Sequence, residues 1–161
     1  MNLEFTLNGE RVQTESAPHT RLVDLLRESF GMLETRVGCY AGACGTCIVL
    51  LNEELVHSCL IPTFSVRGQR ITTIEGISRT LTYREITAAF DETGSTPCRT
   101  CFQGKALSLY QLFESIAAPT KSEIDAVILA HRCRCTDYPE LVEVVRNVVV
   151  RRRKRQRAEL I

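Results

Sequence analysis

Eight cysteines divide into two groups of four. Cys39, Cys44 and Cys47 follow a C-x4-C-x2-C spacing, and eleven residues separate Cys47 from Cys59. That is the plant-type arrangement of thiolates around a [2Fe-2S] cluster. Cys98 and Cys101 form a C-x2-C pair, and Cys133 and Cys135 a C-x-C pair. Iron bridged by sulfide needs soft, anionic ligands, which Cys supplies. Gly38, Gly42 and Gly45 interleave with the first three cysteines. They suit the sharp turns and close backbone approach that a cluster loop demands, because glycine has no Cβ. Two four-thiolate sites point to electron transfer, and no convincing nucleophile, acid/base pair or phosphate loop competes with that reading.

The second group is less specific by itself, since C-x2-C with C-x-C also suits zinc. Its two pairs fall at loop ends of a helical region, where they can meet at one centre. Four disulfides would also use eight cysteines, with 105 possible pairings. A reducing cytosol argues against them. His57 and His131 each precede a cysteine by two residues. They read as packing or surface residues, because each group already has four thiolates.

The elements that must hold these sites follow from periodicity. Leu3, Phe5 and Leu7 alternate with polar residues, as in a half-buried strand. Asn8-Gly9 is a hairpin signal leading to a return strand over 10–15. Thr20 is placed to cap a helix over 21–29 that carries Leu22, Leu25 and Leu26, with Gly31 ending it. Ile48–Leu51 reads as a buried strand, Asn52–Glu54 as a turn, Leu55–Val56 as another strand and Ile71–Ile74 as a last short one. Helices follow over 80–92 and 104–117. A third has Thr120 and Glu123 as its capping box, and a fourth is capped by Asp137 with Pro139 in its first turn. The fold class is therefore α+β: an N-terminal β-grasp, ferredoxin-like domain over residues 1–77, a C-terminal four-helix domain over 78–150 that carries the second cysteine group, and a basic tail over 151–161.

The net charge of +1 on 161 residues hides an asymmetry. The tail holds Arg151, Arg152, Arg153, Lys154, Arg155 and Arg157 against one acid, Glu159. It reads as a solvated end, or as a continuation of the last helix, and nucleic-acid binding is not expected of it. No apolar run is long enough to cross a bilayer. No secretory signal is visible, so a cytoplasmic location is the expectation.

With both cysteine groups placed, the chain resembles the small iron–sulfur subunit of the molybdenum hydroxylases, the family of xanthine dehydrogenases and aerobic carbon monoxide dehydrogenases. The resemblance runs over residues 1 to about 150. Its carriers are Gly38-Cys39 through Cys47, Ser58-Cys59-Leu60, Ile71 through Gly76, and Cys133-Arg134-Cys135-Thr136. It implies that Cys39, Cys44, Cys47 and Cys59 bind the FAD-proximal cluster, and that Cys98, Cys101, Cys133 and Cys135 bind the molybdenum-proximal one. It further implies a large molybdopterin-binding subunit and an FAD-binding medium subunit as partners, with the substrate chemistry, xanthine dehydrogenase-like, outside this chain. Departures gather at the second group. Pro97 and Arg99 stand where the family usually has Gln and Gly, Ala130-His131-Arg132 where it has Gly-Asn-Leu, and Asp137 where it has Gly. Pro97 offers neither an amide side chain nor a backbone N–H for a pterin contact. Arg99 and Arg132 are candidates for raising that cluster's potential. A free-standing two-cluster carrier and a zinc-stabilised interaction module are the alternative functions.

Overall fold

The computed structural model describes residues 1–95 and 97–159. Five strands form one mixed sheet in the order β2-β1-β5-β3-β4. These are β1 (Asn2–Leu7), β2 (Glu10–Glu15), β3 (Ile48–Leu51), β4 (Glu54–His57) and β5 (Arg70–Thr72). The β1–β2, β3–β4 and β3–β5 pairs are antiparallel, and β1–β5 is parallel. Asn8 (φ 51°) and Gly9 (φ 90°) both adopt the left-handed backbone that a two-residue hairpin turn needs. The Asn8 side chain also accepts the Thr73 N–H at 2.8 Å, which ties the hairpin to the chain leaving β5. Asn52 and Glu53 make the β3–β4 turn with positive φ at both positions.

Helix α1 (Leu22–Glu28) lays Leu22, Leu25 and Leu26 against Leu3, Phe5, Leu7, Val49 and Ile71 of the sheet. Its N-cap is Arg21, not Thr20. The Thr20 carbonyl instead accepts the Thr63 N–H at 2.9 Å, and this loop pairing displaces the helix start by one residue. Strand β3 serves two cores. Val49 faces α1, whereas Ile48 and Leu50, on the opposite face, pack with the helices that follow.

Those helices are α2 (Ile74–Ile77), α3 (Leu81–Thr93), α4 (Arg99–Ser115), α5 (Lys121–Leu129) and α6 (Tyr138–Glu159). The expected strand over 71–74 stops at Thr72, because Thr73 becomes the N-cap of α2. Helix α4 begins at Arg99, five residues before the expected start at 104. Its first turn holds the exposed Arg99 and Thr100 and the half-buried Cys101 and Phe102, so the apolar stripe becomes continuous only further along. The Thr120–Glu123 capping box of α5 is present. Asp137 caps the start of α6 by accepting the Glu140 N–H at 3.0 Å, and Glu140 returns the bond to the Asp137 N–H at 3.1 Å.

The basic segment is not simply a solvated end. Helix α6 runs through it to Glu159 and brings three arginines back onto the helical core. Arg152, whose side chain is 13% exposed, pairs with Glu85 (3.3 Å) and Glu114 (3.3 Å). It donates to the Phe113 carbonyl and the Thr82 hydroxyl, both at 2.6 Å, and lies over the Phe113 ring. Arg155 reaches Glu85 at 2.7 Å, and Arg151 pairs with Glu92. Arg152→Ala leaves Glu85 with Arg155 as a partner but removes the bonds to Phe113 and Thr82, and should lower the unfolding free energy of the iron-loaded protein in urea titration by about 1–3 kcal/mol. A loss below about 0.5 kcal/mol, the size of a surface pair, would contradict the packing of this segment.

Candidate metal centres

The loop between α1 and β3 has no regular structure, and its shape is set around sulfur. Tyr40 (φ 55°), Gly42 (φ 66°) and Gly45 (φ 79°) turn the backbone so that the Ala41 and Ala43 N–H groups both donate to the Cys39 sulfur at 3.3 Å. These two bonds, led by that from Ala41, pull the Cys39 thiol down to about 6 in the iron-free chain. A Cβ at Gly38 would press on the Cys44 sulfur at 3.0 Å, and one at Gly42 would collide with Leu60. Cys47 and Cys59 lie at the inner side of the site, each 2% exposed. Burial pushes the Cys47 thiol up to about 12. The loop from Cys47 to Cys59 is closed by the Ser58 hydroxyl, which donates to the Cys47 carbonyl at 2.6 Å.

The second group sits where two helix ends meet. Cys98 is the N-cap of α4, and Cys101 lies in its first turn. Cys133 and Cys135 come from the turn between α5 and α6, where the Cys135 N–H donates to the Cys133 sulfur at 3.3 Å. The Cys98 thiol is lowered, first by the Cys101 N–H facing its sulfur and then by Cys135. Burial pushes Cys101 up. Cys133 falls to about 7: burial opposes the change, and the Cys135 N–H and the Cys101 thiol outweigh it.

In both sites the sulfurs act on one another: Cys39 with Cys44, Cys47 with Cys59 and Cys44, Cys98 with Cys135 and Cys101, and Cys101 with Cys133 and Cys98. Among the described residues, no three His, Cys, Asp or Glu side chains group as a site for a single ion. All eight cysteines are free. A surface cavity of about 780 Å³ lies along β1 and β2, and no cysteine lines it.

The residues that join the two sites were not anticipated. A Cβ at Gly104, on α4, would collide with the Gly45 carbonyl, and one at Gly45 would collide with the His131 ring. Gly45 adjoins Cys44, Gly104 follows Cys101 by three residues, and His131 precedes Cys133 by two. Backbone from one site thus touches backbone and side chain of the other. His131 also hydrogen-bonds Ser108 at 3.0 Å, and burial pushes its imidazole down to about 4. It is a packing residue, as its sequence setting suggests. Gly104 carries no sign of this junction in the sequence, because the expected helix over 104–117 puts it at the helix start, and only the earlier start at Arg99 places it inside. A second tie joins Gln103 to Glu34 at 2.6 Å, with Arg36 on the same carboxylate at 3.2 Å. Arg99 and Arg132 are exposed, whereas Lys105 is the cation buried beside the second group.

Comparison with known proteins agrees with this geometry. Residues 5–72 match the domain family described as "2Fe-2S iron-sulfur cluster binding domain", and residues 73–146 match "[2Fe-2S] binding domain". The chain is 32% identical over 151 residues to the nicotinate dehydrogenase small FeS subunit of Eubacterium barkeri, covering 94% of this chain and 96% of that one. It is 34% identical over 137 residues to a probable xanthine dehydrogenase subunit of Bacillus subtilis (83% and 77% covered). The solved quinoline 2-oxidoreductase from Pseudomonas putida 86 contains a chain that superposes with a TM-score of 0.83 at 28% identity, with 96% of each covered. The aldehyde oxidoreductase of Desulfovibrio desulfuricans superposes with a TM-score of 0.85 at 28% identity, where this chain spans 17% of the longer one.

Two outcomes follow. Gly104→Ala should force α4 off the Gly45 loop and lower iron content at both sites, through overpacking of about 1–3 kcal/mol. Undisturbed spectra and iron content would contradict the junction. At Glu34, burial raises the carboxyl, and the bonds from Arg36 and Gln103 outweigh it, leaving it below its ordinary 4.5. A folded value below the unfolded one adds stability that is full above about pH 4.5 and lost as pH falls through the folded value. Glu34→Gln should therefore lower stability at neutral pH and leave the acid end nearly unchanged, which flattens the acid side of a stability–pH profile.

Proposed function

Because the chain belongs to the family of small iron–sulfur subunits of the molybdenum hydroxylases, we propose that it carries electrons from a molybdopterin-bearing large subunit, through its two sites, toward an FAD-bearing medium subunit. The observation that carries this reading is the Gly45–Gly104–His131 junction, which sets two four-thiolate sites against one another inside one small chain. When bound, each [2Fe-2S] cluster supplies a one-electron relay. Cys39, Cys44, Cys47 and Cys59 would hold the first, and Cys98, Cys101, Cys133 and Cys135 the second. Gly38, Gly42 and Gly45 let the first loop close around its cluster. The Ala41, Ala43 and Cys135 N–H groups compensate sulfur charge. The division falls near residue 77, with residues 1–77 forming the ferredoxin-like unit and 78–150 the core of the helical one.

Bond chemistry on the substrate belongs to the partner chain. The names of the relatives, nicotinate, xanthine and quinoline, support a nitrogen heterocycle as its substrate class. Among the described residues no helix is long and apolar enough to cross a membrane, and we place the complex in the cytoplasm. Pro97, buried and without an N–H, favours a second reading, a carrier that no longer docks a pterin enzyme. Anaerobic purification through a tag on this chain separates the two. The first reading predicts a co-purifying large chain with molybdenum, together with FAD. Iron-loaded chain recovered alone from its native cells would favour the carrier.

A further inference from the structure

Lys105 lies one helical turn past Cys101 on α4, the spacing that places two side chains on one face. It is 3% exposed. With Leu109, Val127, Ile128, His131 and Leu141 it borders a cavity of about 10 Å³, no roomier than a single water molecule. Among the described residues no carboxylate pairs with it and no acceptor hydrogen-bonds it. An ammonium taken out of water without a partner is costly and persists where an opposing charge faces it. Cys101 stands one turn back on the same helix face, and Cys133, Cys135 and Cys98 also act on the ammonium electrostatically. Burial lowers its proton affinity, and these four sulfurs oppose that change.

We propose that Lys105 is the buried counter-cation of the Cys98–Cys101–Cys133–Cys135 site, and that its charge raises the reduction potential of that site. The inference rests on the two-cluster reading above. One electron, from the large subunit or from dithionite in vitro, adds one negative charge to the site, and no bond forms or breaks. Lys105 stabilises the more negative form through a low-dielectric interior. Solvent and salt screen the exposed Arg99 and Arg132 far more strongly.

The test is a potentiometric titration of the anaerobically purified full chain, followed by EPR, for wild type, Lys105→Met and Lys105→Arg. Lys105→Met should lower the equilibrium constant for reducing the second site about tenfold, a shift of 59 mV for a one-electron couple. The first site should not move, and Lys105→Arg should stay near wild type. An unchanged second midpoint in a fully loaded Lys105→Met protein overturns the proposal, as does an equal shift of both midpoints. If Lys105→Met fails to load the second site, the Arg variant decides. Loading restored by Arg shows that the charge is required, and loading lost with Arg as well shows that shape is at stake and overturns the proposal. A wild-type chain without a second signal would instead remove the two-cluster reading itself.

Discussion

Thiolates repel one another, and each half of this molecule must gather four of them in one small volume. Iron and sulfide supply part of the compensation, but the protein must be shaped to the remaining negative charge before they arrive. The first half does so with peptide dipoles: the Ala41 and Ala43 N–H groups turn onto Cys39. The second half combines the Cys135 N–H, the first turn of α4 and a buried lysine. The sheet and helices around them hold these donors in place. Strand β3, buried on both faces, fixes Cys47 at its start and presses the helical half against the sheet.

That shared strand explains why the two sites are not independent modules joined by a linker. Ile48 and Leu50 belong to the helical core while Val49 belongs to the sheet core. Gly45 then brings the first loop to α4 with no side chain between them. Electrons cross gaps more readily through packed matter than through solvent-filled space, and here the gap is filled by backbone and by one imidazole.

Much of this was legible in the sequence because it is local. Cysteine spacing, alternation in β1, the Asn8-Gly9 turn and the Thr120–Glu123 box each depend on residues close along the chain, and each is present. What escaped depends on residues far apart. Thr20 lost its capping role to a loop pairing with Thr63, a contact across more than forty residues. The ordering of the basic segment depends on Glu85, Glu92 and Glu114 from α3 and α4, which no run of arginines announces. Lys105 reads as an ordinary surface lysine until α4 is rotated into place, and then it faces inward. Departure from the family's pattern likewise singles out Arg99 and Arg132, which are close to the ligands in sequence but exposed in the fold.

Iron and sulfide must be the natural occupants of both thiol groups if these sites relay electrons. Metal and acid-labile sulfide analysis of the anaerobically isolated chain tests that most directly. About four irons and about four sulfides per chain, with two distinct EPR signals on reduction, are expected. A colourless, sulfide-free protein carrying zinc would contradict it.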